Sequence, residues 1–397
     1  MAQTADAAPE PSPSAMDRTG ERAPVRVELL SRLTELPAEW DALAAPCIWH
    51  ARGFLQALEA SGCVGAGTGW EPRFLLGWRG DTLAGALPLW LKTHSYGEYV
   101  FDWAWARAYQ QHGQPYYPKL VSAIPFTPAT GPRLLGTERE VAALLLGVVD
   151  AWLEAGEVSS AHVLFPATEE TGLWRDAGFM AREGIQFHWQ RRGEADFEAL
   201  LMSLTRDKRK HIRQERRRVH DAGVRFRIVD GHHASAADWS LFSACYARTY
   251  AEHGSSPYLN EDFFVRWAAT CPDVPLLFIA EVDGQAVAAS LCAQQGDVLY
   301  GRYWGALAHI PCLHFEACYY QPLEWALAHG IRRFEGGAQG EHKQARALEP
   351  VTTCSLHRIA DPRFAEAIQD FLRRERAGVA DHTAALLEHS AYRRPAS

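Results

Sequence analysis

From residue 25 onward the chain alternates between two hydrophobic periods, and each change of period marks an expected element. The pattern predicts a strand over 25–30 and a short helix over 37–43. A second helix over 51–61 carries Phe54, Leu55 and Leu58 on one side and stops at Gly62. Two strands over 73–78 and 82–92 are joined at Arg79-Gly80-Asp81, a hairpin signal. A helix over 103–111 follows, then a strand over 120–124 set among Pro115, Pro118, Pro125, Pro128 and Pro132. Proline fixes φ and removes a donor, so that stretch excludes a long helix. Val141, Leu144, Leu145, Val148, Val149 and Trp152 recur at helical spacing and predict a helix over 138–154. A strand over 163–165, a helix over 168–176 and a strand over 179–190 complete the first half.

The second half repeats this plan. Residues 275–292 align with 72–89 at a constant offset, each with a strand, a turn containing Asp and Gly, and a second strand of small residues. A strand over 299–304, a helix over 313–328 closed by Gly330 and a strand over 331–334 form a βαβ unit. Such a unit favours parallel strands and a right-handed crossover, and its sites gather at the carboxyl ends of the strands. Pro322 inside that helix predicts a kink. A last strand over 353–359 and a helix over 362–389 follow. The expected organisation is a disordered tail over 1–24, one domain over 25–192 and a second over 193–397.

Composition narrows the function classes. The chain has 397 residues, 47% hydrophobic and 22% charged, with a formal net charge of −8, so nothing global points to nucleic acid. Eight cysteines without a C-x-x-C pair read as thiols of a reducing cytoplasm. The N-terminal stretch lacks the apolar run of a signal peptide, and no stretch approaches the roughly 18 apolar residues of a membrane helix. One segment departs from the acidic balance. Residues 206–218 hold eight Lys or Arg and two acids. They form either a solvated helix face or an anion site using Arg209 and Arg213.

The candidate chemistry lies at the ends of the two parallel strands. Tyr303 and Trp304 end the first. Glu335 ends the second and runs into a polar loop with Gln339, His342 and Lys343. His314 and Glu316 begin the intervening helix; Glu316 is either a partner of the helix dipole or a general base. Tyr116, Tyr117, Lys119 and Arg133 face them from the proline-rich stretch, as packing groups or as substrate contacts. Cys312, His314, Cys318 and Cys292 match no strong metal template, so no metal is expected.

Tyr116 to Pro128 (YYPKLVSAIPFTP), followed by Thr130-Gly131-Pro132-Arg133, resembles a signature of a bacterial FemAB-like family. Ser256 to Asn260 (SPYLN), Gly301 to Gly305 (GRYWG), His314 to Gln321 (HFEACYYQ) and Phe334 to Lys343 (FEGGAQGEHK) agree with it, and the similarity spans about residues 30 to 385. That family is labelled peptidoglycan biosynthesis or recognition within the GNAT-type acyltransferase superfamily. The resemblance implies an α/β fold of tandem GNAT-like domains, with mixed sheets, flanking helices and a cleft between the domains. It implies N-acyl or aminoacyl transfer to a small-molecule or peptidyl amine linked to peptidoglycan. The donor would be an acyl-CoA such as acetyl-CoA, or an aminoacyl-tRNA in a Fem-type reaction, which would make tRNA a partner. In that reading Glu316 or Glu335 receives the amine proton. Many GNAT proteins hold the CoA diphosphate on a loop of the form R/Q-x-x-G-x-G/A; here Arg302-x-x-Gly305 begins it and Leu307 departs from it. A catalytically silent muropeptide-binding protein that keeps the fold is the alternative.

Overall fold

The computed structural model describes residues 22–45, 47–136, 138–337 and 340–393. The first 21 residues of the expected tail, and Gln339 among the candidate residues, lie outside the described residues. Among the described residues fourteen strands form: β1 Val25–Leu30, β2 Trp70–Pro72, β3 Phe74–Arg79, β4 Thr82–Leu87, β5 Trp90–Lys92, β6 Lys119–Ser122, β7 Ser160–Leu164, β8 Met180–Gln190, β9 Arg225–Asp230, β10 Pro275–Val282, β11 Gln285–Gln295, β12 Val298–Ala306, β13 Arg333–Glu335 and β14 Glu349–Ile359. β1, β3 and β4 make a three-stranded sheet; the other eleven run in the order β2-β5-β6-β7-β14-β8-β13-β12-β11-β10-β9. The expected single strand over 82–92 is two strands in different sheets. Pro88 separates them, because a residue without N–H cannot continue a central ladder.

Both halves carry the same unit, as the resemblance implies. An antiparallel pair, β3–β4 or β10–β11, precedes a parallel pair joined across a helix. The parallel pairs are β6–β7 around the helix Arg139–Glu154, and β12–β13 around the helical stretch 313–328. The halves interlock. β14, the last strand of the chain, lies between β7 and β8, antiparallel to both, and β8 pairs on its other edge with β13.

Alternation along the central strands gives the large sheet two faces. On one, Leu277, Ile279, Leu291 and Tyr300 pack against Phe242 and Tyr246 of the helix Ala236–Glu252. On the other, Phe278, Cys292, Leu299 and Phe334 pack against Tyr319, Tyr320 and Leu323. The helices Ala236–Glu252 and Glu261–Thr270 have no counterpart among the expected elements, although their caps are local. Ser235 accepts from Asp238 N while the Asp238 carboxylate accepts from Ser235 N, and Asn260 accepts from Phe263 N at 2.9 Å. No helix of the described residues is long and apolar enough to cross a membrane.

Candidate active site

The site arises where two parallel strands stop pairing. β12 and β13 share only the register Val298↔Arg333, Leu299↔Phe334 and Tyr300↔Glu335. β12 then stays with β11 to Ala306, while the chain after Glu335 turns away. A cavity of about 340 Å³ fills the resulting gap. Its walls come from both faces of the sheet: Tyr246, Tyr250 and Tyr303 on one side, His314, Tyr319 and Lys343 on the other. The cavity therefore lies in the gap between the strands, as a slot lined from both faces.

A one-residue irregularity shapes the β12 wall. Leu291 pairs with Tyr303 and Cys292 with Gly301, so Arg302 is the extra residue of a bulge. The bulge lets the consecutive side chains Arg302 and Tyr303 reach one target, the carbonyl of Phe126. Tyr303 Oη donates to it at 2.7 Å, and the Arg302 guanidinium donates to it as well and to Thr127 Oγ1 at 3.1 Å. Phe126 holds φ at +57° and stacks on Tyr258 with ring centroids 5.1 Å apart. The proline-rich segment of the first half, the 256–260 segment and the GRYWG strand therefore meet at one point. Gly305 is required by packing: a Cβ there would lie 1.9 Å from the Cys245 carbonyl oxygen.

The opposite wall is built on a distorted helix. The expected helix 313–328 starts after Cys312, in the left-handed region at φ +68°, and opens into a wide π-type turn over Glu316–Tyr320 before regaining α geometry. The cause is Pro322. It cannot donate to the carbonyl one turn earlier, and its ring crowds that carbonyl, so the preceding turn widens. The wide turn sets Cys318 and Tyr319 into the cavity. Tyr319 Oη lies 3.1 Å from His342 Nε2, and the Trp304 and His314 rings are 5.2 Å apart. Arg346 fixes the His342–Lys343 turn, donating to His342 O at 2.7 Å and to Glu215 Oε1 at 2.6 Å.

The electrostatics of the slot are one-sided. No lining residue is a carboxylate among the described residues, whereas Arg302, Lys343, His314 and His342 all line it. The Lys343 ammonium is buried, its only bonded partner among the described residues being Gly337 O at 3.2 Å. Burial pulls its pKa down to about 8. Burial likewise lowers His314 to about 4 and moves His342 below its usual value, so both imidazoles are neutral at pH 7. Gly336 keeps the lysine path open: a Cβ there would press on Leu348 at 2.4 Å and on Lys343 Cδ at 3.3 Å.

The slot gathers five of the residues named from the sequence: Tyr303, Trp304, His314, His342 and Lys343. Glu316 faces away from it, held by Arg216 at 3.0 Å and by Gln321 at 2.8 Å. Glu335 is the neighbour of the slot-lining Phe334 but does not line the slot; its side chain lies on the Tyr300 face of the sheet. There it sits 3.1 Å from Arg333 and 3.9 Å from His188, and burial raises its pKa to about 7. Tyr116, Tyr117, Lys119 and Arg133 are elsewhere. Tyr116 Oη donates to Asp102 at 2.6 Å, and Tyr117 Oη pairs with Ser95 at 2.8 Å. Lys119 is fully buried against Glu98 and Asp102. Arg133, also fully buried, spends its guanidinium on the carbonyls of Leu164, Ala129, Gly131 and Pro132. Arg209 and Arg213 lie on the helix Arg206–Asp221, where Arg213 pairs with Glu198. Sequence reasoning missed Tyr99, Tyr246 and Tyr250. The i, i+4 spacing of Phe242, Tyr246 and Tyr250 was a usable signal, whereas Tyr99 sits in a loop with none.

The C-terminal domain of a putative lysylphosphatidylglycerol synthetase from Agrobacterium fabrum is similar in structure, with TM-score 0.50 at 11% identity over 83% of this chain and 93% of that one. At that identity the likeness is one of fold. FemX gives TM-score 0.49 at 12% identity, covering 80% of this chain and 94% of that one. A tandem GNAT protein from the clavulanic acid biosynthesis pathway gives 0.45 at 12%, covering 85% and 99%. No curated protein matches the sequence. The model of the FemAB-like family, described as peptidoglycan biosynthesis/recognition, matches residues 32–394, and the chain belongs to that family.

Proposed function

We propose that the protein transfers an acyl or aminoacyl group to an amine of a peptidoglycan-related acceptor, with the chemistry in the slot between the strands. The observation that carries this reading is a buried lysine without a carboxylate partner among the described residues, beside Arg302 in a cavity that no described carboxylate lines. Uncompensated buried cations are costly unless a ligand supplies the negative charge. A cavity lined from both faces of the sheet can hold donor and acceptor groups side by side at the gap.

The amine nitrogen attacks the donor carbonyl carbon. The carbonyl oxygen gains negative charge, which the Lys343 ammonium stabilises. The neutral His342 imidazole at the mouth takes the proton from the amine nitrogen. Collapse of the intermediate breaks the bond to the leaving oxygen or sulfur, which recovers that proton. Glu316 and Arg346 act by position, holding the distorted helix and the His342–Lys343 turn.

The donor read as best fitting is an aminoacyl ester. An acyl-CoA diphosphate would need the amides at the start of the 313–328 helical stretch. Leu313 N and Phe315 N already donate to Ile310 O at 3.2 Å and Cys312 O at 3.0 Å. The test incubates the purified protein with aminoacyl-tRNA or with acetyl-CoA, each with amine-bearing muropeptides, and reads product mass. Aminoacyl adducts support the reading. Binding of muropeptide without any adduct from either donor sinks it in favour of a recognition protein.

A further inference from the structure

The basic helix Arg206–Asp221 has a face that the slot does not use. Its inner side is Ile212, Glu215 and Val219, all buried. On the opposite side Arg206, Lys210, Arg213 and Arg217 are exposed at spacing i, i+4, i+7 and i+11. At 3.6 residues per turn they form a stripe roughly 60° wide and roughly 16 Å long. Only Arg213 has a carboxylate partner, Glu198; among the described residues none pairs with Arg206, Lys210 or Arg217. Two large apolar side chains stand out beside the start of this helix. Met202 and Leu387 are 49% and 50% exposed. Their segments are tied together there, Thr205 N donating to Ala391 O at 2.9 Å and Arg393 N to Ser203 O at 3.0 Å.

We infer that this face docks on an anionic lipid bilayer, the stripe against phospholipid headgroups and the two apolar side chains at the headgroup boundary. The chain carries a net charge of −8, so the stripe is a local feature and not general basicity. A bilayer needs only spread point charges and some apolar contact on an open face. A nucleic-acid strand would favour a concave track. The groove beside this helix offers no continuous track of free charge: its Glu198, Glu316 and Glu324 already hold Arg213 and Arg216, which leaves Arg217 and Arg225 as the arginines of its lining without a carboxylate partner among the described residues.

Each cation near an anionic bilayer contributes roughly 5-fold in partitioning. The experiment is sedimentation of the full chain with vesicles of phosphatidylcholine alone or with one quarter phosphatidylglycerol. Wild-type protein is expected to sediment with the anionic vesicles only, and to be released by raised salt. Lys210→Glu with Arg217→Glu should lower that partitioning roughly 30-fold or more. The same variant should keep the wild-type melting temperature and wild-type transfer to a soluble acceptor. Should that variant fail to fold, Arg206→Gln with Lys210→Gln serves in its place. Three results would overturn the inference: wild-type protein that ignores the anionic vesicles, variants that bind them equally well, or, in a parallel binding titration with total tRNA, variants that lose the tRNA while keeping the lipid.

Discussion

Replacing Lys343 by methionine should leave the protein at least as stable at pH 7 while removing its activity. The ammonium sits in the fold with a pKa near 8 against an ordinary 10.5. At about 1.36 kcal/mol per pH unit, burying the charge costs roughly 3 kcal/mol. Because the folded value is the lower one, the cost is full below pH 8, shrinks between pH 8 and 10.5 and is absent above. Methionine matches the volume without the charge and gives up the bond to Gly337 O, which is worth roughly 1.5–3 kcal/mol for a charged donor. The net expectation is a variant equal to wild type or up to about 1.5 kcal/mol more stable at pH 7. At pH 10.5 the balance should move against the variant by about 2–3 kcal/mol relative to pH 7. Urea titrations of both proteins at the two pH values read this directly. Transfer should fall roughly 10²-fold or more, as for loss of an oxyanion-stabilising donor. A variant with the same stability difference at both pH values would refute the idea that Lys343 is a charge buried without compensation.

Glu335→Gln tests the buried carboxyl that lies outside the slot. The folded carboxyl titrates near 7 against 4.5, so wild type should lose roughly 3 kcal/mol relative to the variant as pH rises from 4.5 to above 7, measured by denaturant titration at both ends. Transfer by that variant should stay within a few-fold of wild type. Tyr303→Phe removes one of two donors to Phe126 O and should cost roughly 1 kcal/mol, whereas Arg302→Lys should cost more than that and also raise KM, because Lys lacks the planar fork. Pro322→Ala restores an N–H to the helix and should let the wide turn close. Hydrogen exchange would then report a newly protected amide at residue 322, and the Tyr319–His342 contact should be lost.

Much of the frame was readable because its signals are local. The hairpin turns at Gly80 and Gly284, the amphipathic helix Arg139–Glu154 and the crossover unit around 313–328 each announce themselves within a few residues. The position of β14 between β7 and β8 was not readable, since strand order across the sheet depends on pairings between residues nearly two hundred positions apart. The 82–92 strand was split by the single proline at 88. The site shows the same division. The sheet edge that carries it follows from topology, but the faces do not. One extra residue at Arg302 and one widened turn before Pro322 decide which side chains enter the slot, and a shift of one position exchanges the two faces. Glu335 falls one residue on the wrong side of Phe334 to line it. Glu316 sits on the Arg216 side of its helix.

The most direct test of the slot as the reacting centre is single-turnover transfer from aminoacyl-tRNA to an amine-bearing muropeptide. It compares wild type with Lys343→Met, His342→Gln, Glu316→Gln and Glu335→Gln. The account expects losses of roughly 10²-fold or more for the first two variants, and changes within a few-fold for the two carboxylate variants once folding is matched. Full turnover by Lys343→Met together with loss of turnover in Glu316→Gln or Glu335→Gln would contradict it and move the chemistry out of the slot.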